Sequence, residues 1–120
     1  MDASDREKIE KIIRDRKLAN GFYLKKSEVF QKFVAFEEKA FEAGSLGYME
    51  KELIAVGISV VINCESCMQW HIEQVLKQGA TEEQVIEAIG VGIEMGGGPA
   101  TVSARFAMKV LDYYRKPDGQ

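Results

Sequence analysis

The chain has 120 residues, of which 46% are hydrophobic and 29% are charged, with a net charge of −3. This length suits one domain, and the composition excludes a disordered or fibrous protein. From length and composition we expect one globular domain over residues 1–120. The slight acidic excess argues against a nucleic-acid-binding protein, which normally carries a basic patch.

The beginning of the chain carries charges with no apolar stretch behind them, which is not the pattern of a secretory signal. The longest apolar run, residues 53–62, is shorter than the ~20 residues that a membrane span needs. We therefore expect a cytoplasmic protein without a membrane or nucleic-acid partner. In a reducing compartment, two closely spaced cysteines favour redox or metal chemistry over a structural disulfide.

The N-terminal third of the chain predicts two helices. Ser4 and Glu7 have capping-box spacing for a first helix, which we expect to end at Asn20-Gly21. Ser27 predicts the start of a second helix, which stops near Gly44. Six of the eleven aromatic residues lie here, and we expect them to form core or subunit contacts rather than a ligand pocket. These are Phe22, Tyr23, Phe30, Phe33, Phe36 and Phe41.

Residues 50–62 fit two kinds of structure. As a helix, the segment is apolar on nearly all sides, which is typical of a buried helix. One side then carries Leu53, Val56 and Val60, and another carries Ile54, Ile58 and Ile62. The β-branched run of residues 58–62 equally fits a buried strand, and periodicity leaves both structures open.

The second half of the chain predicts helices again. The pattern predicts a helix over residues 67–78, with Gly79 just after its end. Thr81 and Gln84 have capping-box spacing for the next helix. The glycines at residues 96–98 favour a tight corner between helices over a phosphate-binding loop, because neither phosphate motif is present. A last helix covers about residues 100–114, so we expect a compact all-α bundle of about six helices.

The informative motif is residues 64–71, which contain both cysteines and the single histidine of the chain. On a helix, Cys67 and His71 share one face, and Cys64 lies one turn before Cys67. A helix N-terminus and a neighbouring imidazole both lower the pKa of a thiol. Two cysteines at this spacing can cycle between dithiol and disulfide, one attacking and the other resolving.

Other interpretations of the motif stay open at this point. A thioredoxin-like fold would place the cysteines after a buried strand, but the chain lacks the further strands. Zinc would find three ligands in Cys64, Cys67 and His71, with Glu52 as a fourth, which is a poorly supplied site. A helical hairpin would bring Glu52 to the motif, although its spacing alone slightly favours a solvated charge. The chain shows no cofactor motif, and we expect neither a bound cofactor nor a metal ion.

The complete pattern, Glu52, eleven residues, Cys64-x-x-Cys67-x-x-x-His71, resembles the alkylhydroperoxidase AhpD-like branch of the carboxymuconolactone decarboxylase family. The similarity extends over about residues 30–114 and includes the residues around Glu52 and the segment 79–85. The resemblance implies an all-α fold in which residues 58–62 are helical. It also implies a homo-oligomer, commonly a trimer or hexamer.

The resemblance further implies roles for the four motif residues. The cysteine that corresponds to Cys67 attacks the peroxide, the one that corresponds to Cys64 resolves the product as a disulfide, and Glu52 and His71 relay protons. The helix dipole alone would instead favour Cys64 as the thiol of lower pKa. The chain also departs from the family at Ser66, where some members carry a histidine.

We therefore expect an antioxidant thiol peroxidase that reduces organic hydroperoxides and is regenerated by an unidentified thiol or disulfide electron donor. Alternatives are decarboxylation of a lactone by Glu52 and His71, and a non-enzymatic oligomer that binds metal or senses oxidation. Because a small core cannot cover all the apolar segments, we expect the N-terminal helices to pack between subunits, with the redox site near that interface.

Overall fold

The computed structural model describes residues 1–115, which form six helices and, within those residues, no strand. In chain order the helices are α1 (Ala3–Lys26), α2 (Glu28–Phe41), α3 (Tyr48–Val61), α4 (Glu65–Lys77), α5 (Glu82–Gly96) and α6 (Gly98–Tyr114). The predicted all-α bundle is confirmed. The strand alternative for residues 58–62 is wrong, because α3 continues to Val61 and Ile62 caps it.

Both ends of α1 differ from the prediction. Asp2 is the N-cap, since its side chain accepts a hydrogen bond from the backbone N–H of Asp5 at 2.8 Å, so the capping box at Ser4 is wrong. The predicted end at Asn20-Gly21 is also wrong, because α1 continues to Lys26. A glycine inside a helix costs only about 1 kcal/mol. Ring contacts beyond it, such as Tyr23 with Phe30 at 5.7 Å between centroids, favour the longer helix.

Three other helix boundaries follow the sequence signals. The Ser27 side chain accepts a hydrogen bond from the N–H of Phe30 at the start of α2. Thr81 and Gln84 form the complete capping box of α5. Gly79 has φ +97°, the left-handed conformation that favours glycine after a helix. These local hydrogen bonds need only a few neighbouring residues, which explains why the sequence predicts them.

The hydrophobic core lies among α3, α4, α5 and α6, and α1 adds Ile9 to it. The largest apolar side chains that are completely buried are Ile9, Met68, Ile72 and Ile89. Helix α2 buries none of its residues and lies on the outside of the bundle. In residues 1–115, no helix combines the length and apolarity needed to cross a membrane.

The outer side of α3 is exposed, contrary to the expectation of a helix buried nearly all round. Ile54, Ile58 and Ile62 are about half exposed, with Ile58 at 53%. Ile54 and Ile58, together with Val91 and Met95 of α5, form an apolar surface, which we call the α3/α5 face. A groove of about 650 Å³ runs along most of this face, between the two helices.

Helices α3 and α5 cross in direct backbone contact at two glycines. A Cβ atom at Gly92 would stand 2.6 Å from the carbonyl oxygen of Gly57, whereas a Cβ atom at Gly90 would meet nothing within 4 Å. We expect Gly92→Ala to lower the free energy of unfolding by about 2 kcal/mol, because the helices must separate. Gly90→Ala should raise it by up to about 1 kcal/mol, because alanine is the better helix former.

Urea titrations followed by circular dichroism measure both changes. Since the two variants add the same methyl group to the same helix, their difference isolates the close crossing. A Gly92→Ala variant as stable as Gly90→Ala would contradict this packing.

Candidate active site

The two cysteines form a disulfide at the start of α4, with their Cα atoms 5.1 Å apart. Cys64 is the N-cap, and its Sγ accepts a hydrogen bond from the backbone N–H of Cys67 at 3.1 Å. Asn63, with φ +54°, turns the chain between α3 and α4. The positive end of the α4 dipole therefore points at the sulfur of Cys64, as the sequence argument expected.

Glu52 and His71 meet between the adjacent helices α3 and α4. The Nδ1 atom of His71 is 2.8 Å from Oε2 of Glu52, and the Glu52 residue is only 2% exposed. The interpretation of Glu52 as a solvated charge is therefore wrong. A buried carboxylate that accepts the Nδ1 hydrogen leaves Nε2 of His71 as the nitrogen that can take up another proton.

Two aromatic side chains enclose this pair. The Phe41 ring stacks on the His71 ring, with centroids 5.3 Å apart and an interplanar angle of 18°. Burial, followed by the nearby Glu52 carboxylate, raises the pKa of the Tyr48 hydroxyl. Phe41 was predicted to belong to core or subunit contacts, and Tyr48 was not singled out. No local pattern marks either residue, because only the packing of α2 and α3 on α4 brings them to the histidine.

A cavity of about 670 Å³ opens beside the disulfide, between α1, α2 and α4. Cys67 and His71 both line it. Its other walls are largely apolar, with Ile13, Leu24, Phe30, Phe33, Val34 and Trp70. Phe30 and Phe33 of α2 thus line a pocket next to the cysteines, and because α2 buries none of its residues, the expectation that its aromatic residues form core is wrong. A subunit contact by their exposed edges stays a prediction.

Arg16 of α1 is a further polar residue at the cavity, which the sequence analysis missed. Its Nη2 atom donates to the backbone oxygen of Ser66 at 2.7 Å and to the Ser66 hydroxyl at 2.9 Å. Its Nη1 atom donates to Oε1 of the buried Gln69. Several basic residues occur along α1, and nothing in that pattern distinguishes Arg16 from its neighbours.

Metal-ligating side chains are not clustered in the part of the chain that the structure describes. No group of three or more His, Cys, Asp or Glu side chains in residues 1–115 is arranged to hold a metal ion. The two cysteine sulfurs are bonded to each other, and the Glu52 carboxylate is engaged by His71. The group of four zinc ligands considered from the sequence is therefore not assembled in this state of the protein.

The chain belongs to the carboxymuconolactone decarboxylase family, whose profile matches residues 27–110. Two curated relatives have similar sequences. An uncharacterized protein of Cupriavidus necator is 42% identical over 82 residues, or 68% of this chain and 70% of the relative. Uncharacterized protein 4 of the cox locus of Paracoccus denitrificans is 40% identical over 80 residues, or 67% and 72% of the two chains.

Solved structures of the family share the fold. The apo form of a carboxymuconolactone decarboxylase family protein from Legionella pneumophila has a TM-score of 0.86 and 29% identity, over 92% of this chain and 99% of that one. A family protein from Thermotoga maritima, for which involvement in an antioxidative response has been suggested, has a TM-score of 0.79 and 23% identity. That alignment covers 86% of this chain and 88% of the Thermotoga protein.

Proposed function

We propose that the protein is a thiol peroxidase that reduces organic hydroperoxides through Cys67 and Cys64. The observation that carries the proposal is the convergence of three features at one cavity. A disulfide-forming cysteine pair opens to it through Cys67, an imidazole backed by a buried carboxylate lines it, and its remaining walls are largely apolar. An apolar wall suits the alkyl part of an organic hydroperoxide.

The reaction balances with the two cysteines and one external dithiol. The Cys67 thiolate attacks the terminal oxygen of the hydroperoxide, the O–O bond breaks, and the alkoxide leaves as an alcohol after taking a proton. Cys67 is then a sulfenic acid. The Cys64 thiolate attacks the sulfur of the sulfenic acid and forms the disulfide, and the displaced hydroxide leaves as water after taking up the proton that the Cys64 thiol had lost. A dithiol donor then supplies two electrons and two protons, becomes a disulfide itself, and restores both thiols.

His71 and Glu52 supply the proton movements. Nε2 of His71 takes the proton of the Cys67 thiol and returns one to the leaving oxygen, while Nδ1 stays hydrogen-bonded to Glu52. The buried carboxylate stabilises the imidazolium that forms between these two steps. The stacked ring of Phe41 limits the rotation of the imidazole.

The two sulfurs have different surroundings, which supports different roles. Cys67 lines the cavity together with His71, so it is the sulfur that a bound peroxide reaches first. The Sγ atom of Cys64 accepts a backbone N–H at the helix N-terminus, which favours its thiolate. Both the attacking and the resolving step need a thiolate, so this hydrogen bond does not by itself separate the two roles. Access to the cavity supports Cys67 as the attacking sulfur, which leaves Cys64 to resolve.

We also propose that the protein acts as a homo-oligomer, a trimer or hexamer, in the reducing cytoplasm. Two exposed apolar surfaces support this. One is the α3/α5 face, and the other is an aromatic face formed by Phe22, Tyr23, Phe33 and Phe36 of α1 and α2. Phe33 also lines the cavity, so a second copy seated on the aromatic face would shield the redox site from bulk water.

Turnover of cumene hydroperoxide with dithiothreitol as the reductant tests the proposed function. We expect turnover by the wild-type protein and a loss of at least about 100-fold in Cys67→Ser, because the attacking thiolate is absent. Equal activity in Cys67→Ser would contradict the proposal.

Cys64→Ser is the matched control for the role of the resolving thiol. It should attack one equivalent of peroxide and then hold a Cys67 sulfenic acid, which dimedone labels and mass spectrometry detects. Absence of dimedone labelling at Cys67 in this variant would contradict the order of steps.

A further inference from the structure

We propose that Arg16 is a positioning residue that holds the turn between the two cysteines and favours their thiolate form, so that α1 tunes the redox behaviour of the pair. The consequence of this role for catalysis rests on the proposed function. Helix α1 ends at Lys26 and therefore lies outside residues 27–110, which the family profile matches.

Helix α1 holds both residues that separate the cysteines. The Nη2 atom of Arg16 donates to the backbone oxygen and the hydroxyl of Ser66, which directly precedes Cys67. The Nζ atom of Lys8 lies 3.0 Å from Oε2 of Glu65, which directly follows Cys64. The lysine pair is exposed and contributes little, whereas the arginine makes a planar fork with several acceptors. Arg16 is therefore the anchor of this turn.

Contacts on both sides fix the Arg16 guanidinium. Its central carbon lies 5.4 Å from the centroid of the Trp70 ring, at cation–π distance. Gln69, which accepts from Arg16, donates from Nε2 to the Tyr114 hydroxyl at 2.6 Å, and that hydroxyl donates to Glu73 at 2.6 Å. Helix α6 thus supports the contact between α1 and α4. Because each side chain of this network has a hydrogen-bond partner, the network holds the guanidinium in one position.

The charge of Arg16 acts in the direction that a thiol peroxidase needs. A half-buried cation is screened less than an exposed one, and a nearby cation lowers the pKa of a thiol. Charged or titratable groups around the cysteine pair come from every packed element: Lys8, Arg16 and Lys17 of α1, Glu37 of α2, Glu52 and Tyr48 of α3, Glu65, His71 and Glu73 of α4, and Tyr114 of α6. Glu73 offsets part of the Arg16 charge, so a moderate effect is expected.

Two substitutions separate the charge from the hydrogen bonds. Arg16→Gln removes the charge and retains a side-chain donor for Ser66, and we expect it to raise the pKa of the more reactive thiol by about one unit. The exchange equilibrium with glutathione should move about tenfold toward the protein disulfide, because a less stable thiolate is a poorer product of reduction. Arg16→Lys keeps the charge, so it should restore most of both values.

The readouts are the pH dependence of iodoacetamide alkylation and the disulfide fraction in glutathione buffers. Neither contains a peroxide, so they report on Arg16 even if the proposed peroxidase activity is absent. Arg14→Gln is the matched control, since Arg14 is an exposed arginine two residues away on the same helix. Unchanged values in a folded Arg16→Gln variant would overturn the inference.

The wild-type protein offers a second test that needs no variant. In the reduced protein, the NMR signal of the Arg16 side-chain N–H groups should shift with the same midpoint pH as the thiol titration, because the guanidinium senses the thiolate. A signal that stays constant through that titration would equally overturn the inference.

Discussion

Glu52→Gln is expected to lower kcat/KM for cumene hydroperoxide by about 100-fold, the usual loss when a proton-transfer group fails. The glutamine oxygen still accepts the hydrogen bond from Nδ1 of His71, so the geometry of the pair is retained. What disappears is the buried negative charge, which stabilises the imidazolium during proton transfer. The effect should therefore appear in the chemical step rather than in folding.

Glu50→Gln is the matched control for this prediction. Glu50 lies on the same helix two residues earlier and is exposed, so the same change of charge is made on the opposite side of α3. Its kcat/KM should stay within about twofold of wild type, as for surface substitutions in general. Circular dichroism and thermal unfolding check that both variants are folded. A folded Glu52→Gln variant with wild-type kcat/KM would remove Glu52 from the mechanism.

A charged side chain on either apolar face is expected to break the assembly of subunits. In light scattering at micromolar concentration, the wild-type protein should have a mass that is a multiple of 13.4 kDa. Phe36, at 70% exposure, lies on the aromatic face, and Ile58, at 53%, lies on the α3/α5 face. Phe36→Glu and Ile58→Glu should each lower the mass, because a glutamate in an apolar interface loses its hydration without gaining a partner.

Met108→Glu serves as the control for this experiment. Met108 is an exposed apolar residue of α6, outside both faces, and its substitution should leave the mass unchanged. A wild-type mass of 13.4 kDa with full activity would show that the apolar faces do not associate. If only Ile58→Glu lowers the mass, the α3/α5 face is the interface and the N-terminal helices do not pack between subunits.

Local signals in the sequence predicted much of the secondary structure. Ser27, Thr81 with Gln84, and Gly79 were assigned correctly because a cap depends on residues within one helical turn. The end of α1 was not predictable in this way. Asn20-Gly21 has the composition of a helix end, and it is overridden by the contacts that Tyr23 and Leu24 make with α2.

The contacts of the candidate site likewise fall into those that the sequence predicts and those that only the tertiary structure shows. The sequence alone determined that Cys64, Cys67 and His71 come together, because they lie within two turns of one helix. Only the tertiary structure decided that Glu52 is buried against His71, that Phe41 stacks on that ring, and that Arg16 holds Ser66. The first set depends on helical periodicity, which spacing encodes. The second depends on how α1, α2 and α3 pack on α4, and no spacing within one segment specifies such contacts.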